Sequence, residues 1–242
     1  MTKTMTYLLG MLITILVGIW LYLTLCSECR APVVDPVVNE PVAPVLPEAT
    51  SYPFALSDMD GDFTYTANDN YNFTISSPDI LMPLSQKVSD GIVGLRTYFG
   101  EHPGKVLDII GYYTGDETNT TGFPNLGHAR ANAVKNHLVG QGITSAQLNT
   151  MGELKDDMVP KQDVYKGPVA YRIHGKSATA DDELEALYEK TKNDPLVLYF
   201  ETAESAINLS PTQRQKFADI SRILDKMPNV SAQIAGHTDN TG

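Results

Sequence analysis

Two groups of side chains in this 242-residue chain have types and spacings that invite chemistry. Cys26-Ser27-Glu28-Cys29 is a CxxC pair. In a thiol oxidoreductase such a pair opens a helix of a thioredoxin-like fold, where one thiol is acidified. No strand–helix–strand context surrounds it here, and two further zinc ligands are missing nearby. The pair therefore reads as membrane-edge thiols, or as a disulfide between neighbouring chains in an oxidising compartment. Asp58-Met59-Asp60-Gly61-Asp62 alternates carboxylates as a calcium loop does. Its glycine is out of place, and Asp69 stands where the loop needs a bidentate glutamate. His128 and His137 read as surface or helix-edge residues. There is no nucleophile–base pair, phosphate loop or zinc cluster, so no catalytic residue, metal or cofactor is expected, and the chain does not read as an enzyme.

The elements around these residues place them outside a membrane. Residues 6–26 carry no charge and are almost wholly apolar. At about 1.5 Å per residue they span roughly 30 Å, the thickness of a hydrocarbon core. Tyr7, Trp20 and Tyr22 suit the two interfacial belts. No small-x-small cleavage site follows, and Leu25 rather than a small residue precedes Cys26, which disfavours a cleaved leader or a lipoprotein. Lys3 on one side, with Glu28, Arg30, Asp35 and Glu40 on the other, leaves residues 1–5 as a cytoplasmic tail by the positive-inside rule. The expectation is a single pass through an inner membrane with the bulk periplasmic. Gly10, Thr14 and Gly18 recur on one helix face, a small-xxx-small pattern that fits a homodimer or a partner membrane helix. Residues 27–50 follow as a proline-rich spacer, which at about 3.1 Å per residue extends some 60 Å or more. The net charge of −11 and a pI near 4.8 exclude nucleic acid as a partner.

The remainder repeats itself. Residues 72–75, Ile92, Leu95, Phe99, Pro103 and Gly111 recur about 125 positions later as 197–200, Phe217, Ile220, Leu224, Pro228 and Gly236, without a gap. The first copy, residues 51–177, predicts strands within 63–75, a helix with Val88, Ile92, Leu95 and Phe99 on one face, and a strand over 106–110. A polar loop follows, then a helix capped by Asn125 with Leu126, Ala129, Ala133, Val134 and Leu138 inward. Strands near 148–151 and 169–173 complete it. This order predicts an α/β two-layer sandwich with a mixed sheet, βαβαβ, behind one transmembrane helix. Residues 178–194 read as a helical linker. The second copy, residues 195–242, predicts a strand over 196–200, a helix opened by Ser210-Pro211-Thr212-Gln213, and a strand over 232–235. It ends six residues after Gly236, so the chain reads as an incomplete protein.

The strand at 232–235 followed by Gly236-His237-Thr238-Asp239-Asn240-Thr241-Gly242 resembles the hallmark of OmpA-like C-terminal domains. Leu126-Gly127-His128-Ala129-Arg130-Ala131 is similar to the helix start that follows the hallmark loop in that family. The resemblance covers most of residues 51–242. It implies peptidoglycan binding, with the loop aspartate and the helix arginine gripping the diaminopimelate of the stem peptide. An acid and a base beside a helix N-terminus suit an amino acid that carries both an amine and a carboxylate. The implied ligand set is Asp239, with His237, Thr238 and Asn240 beside it, and Arg130. In the first copy the aspartate position falls on Thr114; Asp116 or Glu117 stands two or three residues away. Phe123 replaces an expected asparagine. The first copy is therefore expected to keep the fold and to have lost the ligand, with Arg130 an exposed helix residue in the bland reading. The expectation is a Gram-negative cell-envelope tether that binds peptidoglycan non-covalently. Its alternative is a protein-interaction subunit of an envelope-spanning secretion, motility or stator-like complex. A thiol oxidoreductase is a distant third.

Overall fold

The computed structural model describes residues 3–25, 48–61, 63–200 and 207–236. They form two compact units, Met1–Leu46 and Pro47–Gly242. The CxxC pair, most of the spacer and residues 237–242 lie outside the described residues. So do Asp239, Thr238, His237 and Asn240.

In the first unit, helix α1 runs over Lys3–Leu25, 23 residues long and apolar enough to cross a membrane. Gly10, Thr14 and Gly18 share one of its faces. The Thr14 hydroxyl donates back to the Met11 carbonyl at 2.8 Å, so this polar group is satisfied within the helix. A methyl group at Gly10 or Gly18 would meet nothing within 4 Å.

The second unit begins with a hairpin of β1 (Phe54–Ser57) and β2 (Thr64–Ala67), then β3 (Phe73–Thr74). Helix α2 (Gln86–Glu101) starts where the Ser85 hydroxyl accepts from the Val88 amide. Val88, Ile92, Leu95 and Phe99 recur every three or four residues, so they form one buried stripe. β4 (Lys105–Tyr113) follows, then α3 (Leu126–Gly140), capped by the Asn125 side chain. The chain leaves α3 through Gly142 at φ +92°, a conformation that suits glycine. β5 (Leu148–Leu154), β6 (Val164–Tyr165) and β7 (Val169–Gly175) complete the strands.

β4 is central, parallel to β5 and antiparallel to β7, so the sheet is mixed. Leu107 and Ile109 of β4, Leu148 of β5 and Ile173 of β7 share one core with the stripe of α2 and with Ala131, Val134 and Leu138 of α3. The result is the expected two-layer α/β arrangement, in the order β3-α2-β4-α3-β5. β1 and β6 were not legible in the sequence. β1 leads into a bridge from Asp58 to Ile173, and β6 pairs only with β3.

Residues 195–242 depart from the expected repeat. α4 (Ala180–Asn193) and α5 (Pro211–Lys226) form, and Ser210 and Gln213 make the anticipated reciprocal cap. Residues 196–200 and 231–236 carry no strand. Among the described residues no strand lies beside either, and a lone strand leaves its backbone groups unpaired. α5 packs instead on the first copy. The Arg214 guanidinium donates to the Thr121 carbonyl, Phe217 meets the Phe123 ring at 5.3 Å, and the Ser145 hydroxyl donates to the Asp225 carbonyl at 2.7 Å.

Candidate functional site

Three glycines let the N-terminal turn of α3 sit against the sheet. A methyl group at Gly111 would lie 2.0 Å from the Gly127 carbonyl oxygen. One at Gly127 would lie 2.3 Å from the Gly111 oxygen, and one at Gly152 would lie 1.9 Å from the capping Asn125 oxygen. Without side chains at these positions, backbone meets backbone, and Arg130 is carried inward.

Arg130, assigned by resemblance to ligand binding, is fully buried, so the bland alternative of an exposed helix residue does not hold. Each of its five N–H groups has an acceptor. Nε donates to the Ser77 carbonyl at 3.2 Å. One Nη1 bond goes to the Tyr112 carbonyl at 2.9 Å and another to Glu117 Oε2 at 3.0 Å. Nη2 donates to the Thr74 carbonyl at 3.2 Å and to Glu117 Oε1. The guanidinium carbon also lies 5.5 Å from the Phe73 ring centre and 5.4 Å from that of Tyr165. This is the two-pronged pairing that the planar guanidinium favours.

Glu117, and not Asp116, is the acid that meets Arg130. Its side chain is 1% exposed. Oε1 also accepts from the Ser76 amide at 2.9 Å, and Oε2 from the Thr114 amide at 3.0 Å. Ser76 takes φ 57°, a left-handed conformation that a non-glycine residue holds only where its surroundings fix it. One carboxylate thus joins the turn after β3, the end of β4 and helix α3. Sequence reasoning offered Asp116 or Glu117 only as a substitute for the family's loop aspartate. It missed the carbonyls of Thr74, Ser77 and Tyr112, because no side-chain identity encodes them.

Asp116 is exposed and lines an open cavity of about 440 Å³ with Ile75, Thr114, Glu117, Asp156 and Tyr165. The Gly115 amide donates to Asp156 Oδ1 at 2.7 Å. Thr114 is buried, with its hydroxyl 3.4 Å from that of Tyr165. Phe123 stacks on His128 at 5.1 Å between centres. His128 is largely enclosed rather than on the surface; burial, with Lys135 as a second cause, lowers its pKa to about 4. His137 bonds the Tyr71 hydroxyl at 2.8 Å, and burial lowers its pKa too. Both imidazoles are packing groups.

The acidic run near Asp58 is also structural. Asp58 accepts from Lys105 Nζ at 2.9 Å, from the Tyr98 hydroxyl and from the Asp60 amide at 3.0 Å. Among the described residues no group of three or more His, Cys, Asp or Glu is placed to hold a metal ion.

No family model and no curated protein matches the sequence. Three solved structures are similar in part. The peptidoglycan-associated lipoprotein from Burkholderia pseudomallei matches 43% of this chain and 89% of its own, at 19% identity and a TM-score of 0.32. The OmpA-like domain of FopA1 from Francisella tularensis matches 45% and 75%, at 16% identity and a TM-score of 0.28. The C-terminal domain of Helicobacter pylori MotB matches 50% and 95%, at 14% identity and a TM-score of 0.31.

Proposed function

We propose that this protein is a membrane-anchored tether of the Gram-negative envelope that grips peptidoglycan through residues 236–242. One observation carries the reading: the OmpA-like sequence Gly236-His237-Thr238-Asp239-Asn240-Thr241-Gly242 stands on the same chain as a helix able to cross a membrane. Asp239 is the acid assigned to the diaminopimelate amine, with His237, Thr238 and Asn240 beside it. Arg130 does not take part, because Glu117 and three carbonyls use all its donors. The N-terminus is assigned to the cytoplasm and the α/β unit to the periplasm.

The test is co-sedimentation of the full chain, in mild detergent, with purified sacculi. Asp239→Ala is expected to abolish pelleting, free diaminopimelate to compete, and Arg130→Lys to leave pelleting unchanged. Equal pelleting of wild type and Asp239→Ala removes the assignment.

A second reading has its own support. Val197, Leu198, Tyr199 and Phe200 are 39–83% exposed, and Ile234 is 96% exposed. Apolar side chains grouped this way suit a protein partner. In this reading the chain is an interaction subunit of an envelope machine, and the face of Gly10, Thr14 and Gly18 packs against a partner helix. Gly10→Leu with Gly18→Leu is then expected to dissolve detergent-stable complexes while sacculus binding is already absent.

A further inference from the structure

We infer that the pocket around Arg130 is a carboxylate receptor filled by the chain's own Glu117, so the first copy is closed to any carboxylate from outside. This holds whether or not residues 236–242 bind the wall. Glu117 comes from the loop between β4 and α3, and its carboxylate is treated as a bound anion. Four donors converge on its two oxygens: both Nη atoms of Arg130, the Ser76 amide and the Thr114 amide.

The receptor is also held in place without Glu117. Arg130 has three further bonds, to the carbonyls of Thr74, Ser77 and Tyr112, and its guanidinium lies between the rings of Phe73 and Tyr165. The Thr114 amide belongs to the chain leaving β4, and the Ser76 amide to the turn after β3. Removing the acid frees these four donors for another carboxylate. Glu117 also forms part of the wall of the 440 Å³ cavity that opens beside Asp116 and Asp156, while its carboxylate is closed off from solvent.

Chemistry sets the probe. Glu117→Ala removes Cγ, Cδ and the two oxygens, and an acetate ion supplies the same heavy atoms. Acetate should therefore re-enter the vacated place and stabilise the variant. A ligand that binds only the folded state raises stability with concentration. With a Kd of about 10 mM, 100 mM acetate raises the Tm of a domain this size by about 3 °C.

The experiment is a thermal melt of the full chain in detergent micelles, wild type against Glu117→Ala, in sodium acetate or sodium chloride of equal ionic strength. The expected result is an acetate-specific rise for Glu117→Ala and none for wild type. Glu117→Ala with Arg130→Met should lose the rise. If Glu117→Ala is unfolded in plain buffer, recovery of its near-ultraviolet circular dichroism on adding acetate is the same readout. No acetate-specific rise or recovery in Glu117→Ala overturns the proposal. So does an equal rise in wild type or in the double variant.

Discussion

Arg130→Ala is the perturbation that best tests whether the centre of this fold is ionic. The side chains of Arg130 and Glu117 are 0% and 1% exposed, so solvent does not screen their attraction. Removing the arginine strands a carboxylate that keeps only two amide donors, Ser76 and Thr114. Breaking a buried pair in this way costs about 3–5 kcal/mol, most of it the unpaired charge. The carbonyls of Thr74, Ser77 and Tyr112 lose a donor at the same time. For a unit of this size each kcal/mol moves the Tm by about 2–4 °C, so a fall on the order of 10 °C or more is expected. Near-ultraviolet circular dichroism of the α/β unit is the assay, because loss of tertiary packing is what it reports. Two companions locate the cause. Arg130→Met with Glu117→Leu removes both charges and should melt above Arg130→Ala, since an apolar pair leaves no buried ion. Arg222→Ala, at an exposed position, should stay within about 0.5 kcal/mol of wild type. An Arg130→Ala melt within 3 °C of wild type would refute the reasoning. So would a double variant less stable than the single.

Two further outcomes follow from the packing. Folded His128 stays neutral down to about 4, because burial and then Lys135 disfavour its charge, whereas an unfolded imidazole takes a proton below about 6.5. Between those values the unfolded chain binds the extra proton, so stability falls as the pH is lowered through that window, by about 2–3 kcal/mol, and this contribution levels off below about 4. His128→Gln should shrink the drop in Tm between pH 7 and 4.5 by about 5 °C; an unchanged drop would count against the enclosed, neutral imidazole. Gly111→Ala forces a methyl group onto the Gly127 oxygen and should cost more than about 3 kcal/mol, while Gly100→Ala, in open space on α2, should gain about 0.5–1 kcal/mol. Urea midpoints of the two variants check the contrast, and Gly111→Ala at wild-type stability would contradict the close approach of β4 and α3.

Most of the scaffold was legible because it obeys local rules. Val88, Ile92, Leu95 and Phe99 mark α2 by spacing alone, and Asn125 and Ser210 mark helix starts by their side-chain oxygens. Short strands were lost where pairing is the only signal: β6 is Val164–Tyr165 and exists through its partner β3. The site was half legible. Arg130 and its neighbouring acids stood out by type, but burial of Arg130 depends on Gly111, Gly127 and Gly152, residues from three separate elements. No window of sequence contains all three, so the burial of this arginine was not legible.

α2 and α5 show how context decides a helix's fate. α2 and α5 are both 16 residues long, and Pro211 stands at the same offset from Gln86 as Lys226 from Glu101. In α2 the stripe of Ile92, Leu95 and Phe99 is buried against the sheet. Its counterparts in α5 are Phe217, Ile220 and Leu224, of which Phe217 is 39% and Leu224 40% exposed. α5 instead buries Ala218 and Ile223, on a neighbouring face. That stripe of α5 is thus only half used. Phe217 finds the ring of Phe123, and Lys135 of α3, itself buried, takes Asp225 as its partner. The Phe123 ring stacks on His128 and meets Phe217 edge-on. Glu117 fills the arginine and Phe123 receives α5. Residues 51–177 therefore support α5, with their polar centre turned inward.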